Sequence, residues 1–193
     1  MSNTDLSWLS KSFDIPPTTF QQEQSRPLYA CHFVDTTPKE RLEILAFRNH
    51  PETSAWMVNQ HISLEAHLQF IEQLKTNTSS AYYLFKQENT LLGVGSLTRV
   101  HAIHRHAFLG IYKNPNLQRV GAQILDALEF IAFYKMRLHA LHLEVLSNNQ
   151  RALHFYQRHA YRKEGFLRDF IYRDGHYHDV WLFVKLSPFS YNA

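Results

Sequence analysis

A single cysteine, Cys31, stands among 193 residues, so no intramolecular disulfide framework can hold this chain together. No Cys and His spacing of the kind that clasps zinc occurs either, and no metal site is expected. No apolar run approaches the ~18 residues that a helical membrane span requires. The opening MSNTDLSWLS has neither the basic nor the apolar region of a secretory signal. A cytoplasmic, reducing compartment is the expectation. Charge is never concentrated: the formal net charge is +3, and 19% of residues are charged. A nucleic-acid face needs its basic residues gathered on one side, and here they are scattered. A small anionic ligand needs only a few of them.

What is present is an apolar fraction of 45% and an aromatic fraction of 14%. These suit one domain with a full core. Residues 1–26, with DIPPTTFQQEQSRP, read as a flexible arm whose Trp8 and Phe13 are suited to docking on the body. Residues 27–187 read as the domain and 188–193 as a tail. No internal repeat is visible.

Periodicity and punctuation give an element order. A short strand at 29–34 leads to a helix with Thr37 as N-cap, Pro38 at its first position and Glu40 closing a capping box, ending before Pro51. Ser63 caps a second amphipathic helix over 63–76. Strands are expected at 81–86, 91–99 and 106–112, then a long apolar helix over 117–136, a strand at 140–146 and a helix capped by Asn149. Asp174-Gly175 supplies the positive φ angles of a tight turn between final strands at 162–173 and 177–186. The order predicts a mixed α/β (α+β) domain with a partly antiparallel sheet, not a doubly wound parallel one.

One junction carries chemistry. In FLGIYKNPNLQRVGAQILDALEF a strand hands over to a helix through Lys113, Asn114, Asn116, Gln118 and Arg119, followed by Gly121 and Ala122. A helix N-terminus offers unpaired N–H groups and a positive dipole end, so basic and amide neighbours there favour an anion. An Asn-Pro turn with one glycine is also an ordinary way to start a helix. Elsewhere His101, His104 and His106 crowd one turn without a carboxylate or Cys partner, so hairpin histidines are expected and not a metal site. Cys31 reads as a small buried hydrophobe.

The strand with Gly110-Ile111, the Pro115-bearing basic loop and the apolar helix resemble motif A of the Gcn5-related N-acetyltransferases (GNAT). Asn149-x-x-Ala152-x-x-Phe155-Tyr156-x-x-x-Ala160-Tyr161 is similar to a second block of that family, and the element order agrees from Tyr29 to Leu186. The resemblance implies a mostly antiparallel sheet of about seven strands, about four flanking helices and a splayed strand pair holding acetyl-CoA. It further implies coenzyme contacts from Leu109, Gly110, Ile111, Asn114, Gln118, Arg119, Val120, Gly121, Ala122 and Asn149, with Tyr156 as the acid that protonates the leaving thiolate. The family pattern Gln/Arg-x-x-Gly-x-Gly/Ala fits in either of two registers. Each lacks one small residue: Gln123 stands at the last position if Gln118 opens the motif, and Arg119 stands at the first glycine if Gly121 closes it.

LAFRNHPETSAWM, ISLEAHLQFIEQL and YYLFKQENTLLGVGSLT resemble the branch of that family that acetylates the 4-amino group of a UDP-linked 4-amino-4,6-dideoxy sugar in pseudaminic acid biosynthesis. Arg48 and Asn49 would then meet a diphosphate, and Trp56, Met57, Phe70 and Phe108 would offer apolar surface to the acceptor. Phe108 holds the place where many relatives carry a glutamate, so Glu144 on the neighbouring strand is the candidate base. Acetyl-CoA and a UDP-amino sugar are the expected partners, with no nucleic acid and no membrane, and a homo-oligomer is compatible. EGFLRDFIYRDGHYHDVWLF also resembles the branch that acetylates protein N-termini of ribosomal proteins. A non-catalytic acetyl-CoA sensor stays open beside both.

Overall fold

The computed structural model describes residues 6–17 and 26–189. Among them, eight strands form one sheet: β1 (Phe13–Ile15), β2 (Leu28–His32), β3 (Ala81–Gln87), β4 (Thr90–His101), β5 (His106–Lys113), β6 (Ala140–Leu146), β7 (Arg162–Arg173) and β8 (His176–Leu186), in the order β1-β2-β3-β4-β5-β6-β8-β7. All neighbours are antiparallel except β5 and β6. Helices are α1 (Pro38–Asn49), α2 (Pro51–Ser54), α3 (Leu64–Gln73), α4 (Gly121–Phe130) and α5 (Gln150–Arg158).

Two cores cover the two faces of the sheet. On one face Leu97, Leu109, Leu143, Val145 and Phe183 pack with Ile124, Leu125 and Leu128 of α4 and Leu153 of α5. On the other, Cys31, Leu84 and Val94 pack with Ile44 of α1 and Ile71 of α3. Strand alternation sorts the side chains between these faces. His142 and Glu144 therefore point away from the α4 face, where Leu141, Leu143 and Val145 are buried.

The capping box of α1 forms as expected: the Thr37 hydroxyl accepts from Glu40 N–H, and a Glu40 carboxylate oxygen accepts from Thr37 N–H at 2.8 Å. Asp174 and Gly175 both have positive φ, 55° and 84°, and turn β7 into β8. Three readings change. The eighth strand comes from the expected arm: Phe13–Ile15 pair with β2, and Leu9, Phe13 and Ile15 are buried, so residues 6–17 are docked. Trp8 and Phe13 do stack there, 5.8 Å between ring centres. The long helix starts at Gly121 and not at 117, because Asn114 accepts from Asn116 N–H and Arg119 takes a left-handed backbone. It ends in a π-turn over Ile131–Lys135, with Met136 N–H donating to Ile131.

Candidate active site

Strands β5 and β6 pair only through His106–Ala140, Ala107–Leu141 and Phe108–His142. Beyond Phe108 they part, while β5 goes on pairing with β4 as far as Lys113 and β6 with β8 as far as Leu146. From Leu109 onward, the edge of β5 that faces β6 presents main-chain groups to a gap. Next to it lies a cleft of about 640 Å³, whose lining includes Ile111, Gln118, Arg119, Gly121, Ala122, Asn149 and Tyr156, with Trp56 and Met57 from the segment after α2.

The N-terminus of α4 opens on this cleft. Val120 occupies the cap position and no side chain caps the helix, so its first N–H groups meet whatever enters at Gly121 and Ala122. A Cβ added at Gly121 would come no closer than 3.7 Å to Phe155, which leaves the backbone approachable. Arg119, with φ of 60°, turns the loop into the helix. Lys113, Arg119, Arg151 and Arg158 bring four cations to the lining, against one carboxylate, Glu52. Lys113 Nζ also donates to Asn114 O and Pro115 O, at 3.3 and 3.2 Å. Helix dipole, open N–H groups and these cations together suit linked phosphates. The unpaired strand edge beside them suits an extended arm carrying amides.

Tyr156 reaches the cleft from the α4 face. The Asn149 side-chain oxygen accepts from Ala152 N–H at 3.1 Å and starts α5. Leu153 and Tyr156 then face the core, while Arg151, Phe155, Arg158 and His159 line the cleft. The Tyr156 ring packs against Phe155, Tyr161 and Phe183. Burial raises its phenol well above the usual value, so it rests protonated.

The other side of the cleft is built differently. Asn49 grips the main chain of Ile62 with both ends of its amide, at 2.8 and 3.0 Å. Arg48 Nη2 donates to Asn59 O at 2.6 Å. Arg173, from the hairpin, donates to Ala55 O at 2.9 Å, and Gln60 donates to the Asp174 carboxylate. These bonds hold residues 55–62 as a strap that carries Trp56 and Met57 to the cleft. Arg48 Nη1 is buried with no hydrogen-bond partner, near Tyr112. Burial lowers the Arg48 pKa and raises that of Tyr112, which also lines the cleft.

Other expected site residues lie elsewhere. The Asn114 amide bonds Leu91 O and Asn116 N–H and builds the turn. Leu109 is buried in the core, and Gly110 O accepts from the Ser96 hydroxyl at 3.4 Å. Phe70 is partly buried and packs edge-on against Tyr82 at 4.9 Å, against the core under α1 and α3. Phe108 lies under the Arg99 guanidinium, and both terminal nitrogens of Arg99 donate to Glu144. Arg48, Asn49, Phe70, Phe108, Leu109, Gly110, Asn114, Val120 and Glu144 are thus not among the residues lining the cleft.

Residues 39–182 match the acetyltransferase (GNAT) domain family, most of the chain. The chain belongs to the GNAT family. Acetyl transfer from acetyl-CoA to an amine is its chemistry, and acetyl-CoA is its co-substrate. The acetyltransferase PseH of Campylobacter jejuni subsp. jejuni serotype O:2 is 29% identical over 141 residues, covering 73% of this GNAT chain and 88% of that protein. Among solved structures, a spermidine N-acetyltransferase from Vibrio cholerae in complex with CoA and spermine superimposes with a TM-score of 0.73 at 21% identity, over 83% of this chain and 95% of its own. Campylobacter jejuni PseH in complex with acetyl coenzyme A does so with a TM-score of 0.64 at 20% identity, over 82% and 98%. Within this GNAT fold, the open end of α4 and the parted β5 and β6 have the donors that a coenzyme pyrophosphate and its pantetheine arm need.

Sequence reasoning missed Arg151, Phe155, Arg158 and His159. Their spacing of four, three and one along α5 marks a single helical stripe and was the available signal. It also missed Arg99 and Arg173, whose partners lie 45 and 118 residues away. Among the described residues, no group of three or more His, Cys, Asp or Glu is arranged to hold a metal ion, and no helix is long and apolar enough to cross a membrane.

Proposed function

We propose that this enzyme acetylates the 4-amino group of UDP-4-amino-4,6-dideoxy-N-acetyl-β-L-altrosamine, by direct transfer in a ternary complex with acetyl-CoA. The product would feed pseudaminic acid biosynthesis and, through it, glycosylation of flagellin in the cytoplasm. The observation that carries this reading is the charge around the acceptor. Arg48 keeps a buried, unpartnered donor beneath the strap, Trp56 and Met57 offer flat apolar surface, and Glu52 is the single carboxylate of the cleft lining. A guanidinium forks onto phosphate oxygens, and apolar surface accepts a uracil or a deoxy-sugar methyl. A polyamine or a peptide α-amine would instead call for carboxylates.

In this mechanism the neutral amine attacks the thioester carbonyl, which the main-chain N–H groups of the parted β5 edge polarise. A C–N bond forms and the C–S bond breaks. The amine proton passes to Glu144 through water, and the leaving thiolate takes the Tyr156 proton. Tyr156 stands on the α4 side of the sheet and Glu144 projects from the other, so acid and base would flank the reacting carbon across the gap. Solvent then resets both groups.

The test incubates the enzyme with acetyl-CoA and a panel of UDP-4-amino sugars, N-terminal peptides and spermidine, and follows thiol release. Turnover confined to the sugar nucleotides is the expected result. Preferred turnover of spermidine or a peptide would overturn the acceptor, and acetyl-CoA binding without any turnover would mark a sensor.

A further inference from the structure

Arg99 reaches from β4 across the full width of β5 to Glu144 on β6. Its guanidinium carbon stands 3.3 Å from the centre of the Phe108 ring, and both terminal nitrogens donate to Glu144 Oε1 at 2.9 Å. This reach depends on an irregular backbone. The β4–β5 register breaks between Thr98 and His101, and Arg99 has φ of 50°. In a regular strand, residue 99 would point to the face opposite Thr98 and its cross-strand partner Phe108, toward the α4 core. A bulge re-aims it.

The left-handed backbone is unfavourable for a residue with a Cβ. The ion pair gives the fold little in return, because the Arg99 side chain is 55% exposed and exposed pairs are weakened by water and salt. Backbone held this way is enriched at functional sites. The place is telling as well. Phe108–His142 is the last rung before β5 and β6 part, and Glu144 is the next residue of β6 on the same face. Both hydrogen bonds from Arg99 land on one oxygen, which leaves Oε2 to take a proton.

We propose that Arg99 is a positioning residue for acetyl transfer: braced on Phe108, it holds the Glu144 carboxylate at the mouth of the strand gap with Oε2 turned to the attacking amine or its bridging water. The proposal rests on Glu144 as the base. Arg99→Ala, Arg99→Lys, Glu144→Gln and the Arg99→Ala/Glu144→Gln pair are compared by steady-state kinetics with acetyl-CoA and the UDP-4-amino sugar, and acetyl-CoA binding by calorimetry reports on the fold. Arg99→Ala lowers kcat by about tenfold, part of the ~10²–10⁴ that losing a general base costs, and leaves both KM values within about twofold. Arg99→Lys restores part of kcat, since an ammonium replaces the charge but not the fork. In the Glu144→Gln background, Arg99→Ala has no further effect.

An equal loss in that background overturns the proposal. So does an unchanged kcat in Arg99→Ala when Glu144→Gln is impaired, or a raised sugar KM with kcat intact, which would make Arg99 an acceptor contact. If Glu144→Gln itself turns over normally, the assignment of the base has failed and the positioning role of Arg99 falls with it.

Discussion

The two halves of the cleft are made by different means. The half proposed for the coenzyme uses main chain: the edge of β5 that loses β6 after Phe108, and the uncapped first turn of α4. The half proposed for the acceptor uses side chains that tie distant segments together, with Asn49 on the main chain of Ile62, Arg48 on that of Asn59, Arg173 on that of Ala55, and Gln60 on the Asp174 carboxylate. Main-chain donors are the same for every sequence that folds this way, so one coenzyme can be held across many relatives. A strap held by particular side chains can be re-cut for each acceptor. On the proposed reading, the difference places specificity in the strap.

The largest effect should come from the group that joins the halves. Tyr156→Phe keeps the packing against Phe183 and removes the proton, so kcat falls by about 100-fold or more while calorimetric acetyl-CoA affinity stays within about twofold. Undiminished turnover would remove Tyr156 from the chemistry. Arg48→Met comes next: it takes a charged donor from the acceptor half, and KM for the sugar nucleotide rises about 10- to 100-fold, as losing a charge-assisted hydrogen bond implies. Acetyl-CoA affinity is unmoved, and a matching loss there would erase the division between the halves.

Asn49→Ala frees the strap at one anchor, and the acceptor KM rises by about tenfold, on the scale of the two hydrogen bonds lost. Crystallography of that variant should show residues 55–62 displaced and the α4 end unchanged. The smallest effect concerns stability. Burial, with Glu129 nearby, raises the Asp126 carboxyl to about 6. Its folded pKa exceeds the ~3.9 of an unfolded chain, so the fold prefers the neutral acid. That contribution is full below pH ~3.9 and lost as pH rises toward 6, worth about 1 kcal/mol after solvent screening of a part-exposed group. Asp126→Asn should therefore raise the thermal midpoint at pH 7 and leave it unmoved at pH 3.5.

Legibility followed the same division. Thr37-x-x-Glu40, Pro38, Ser63, Asn149 and Asp174-Gly175 act within a few residues, and each stands where expected. The strand–loop–helix at Lys113–Gly121 was equally local, and the cleft does open on it. The start of α4 slipped by four residues because helical pattern alone does not reveal a left-handed Arg119. Phe70 was read as ligand surface from a match in type, yet it packs on Tyr82, a partner that only folding supplies. Glu144 was placed on its strand, but its bond to Arg99 crosses 45 residues of chain.

By itself, the sequence determined what short-range physics can encode: the caps, the alternation of each strand, the hairpin turn, and the basic amide-rich loop before an apolar helix. Tertiary structure alone decided the docking of residues 13–15 as a strand, the parting of β5 from β6, the strap over residues 55–62 and the Arg99–Glu144 brace. Caps and turns arise from bonds between near neighbours, whose geometry one stretch of chain already contains. Partings, straps and braces arise where distant segments meet, and the free energy that selects them exists only once the sheet has brought those segments together.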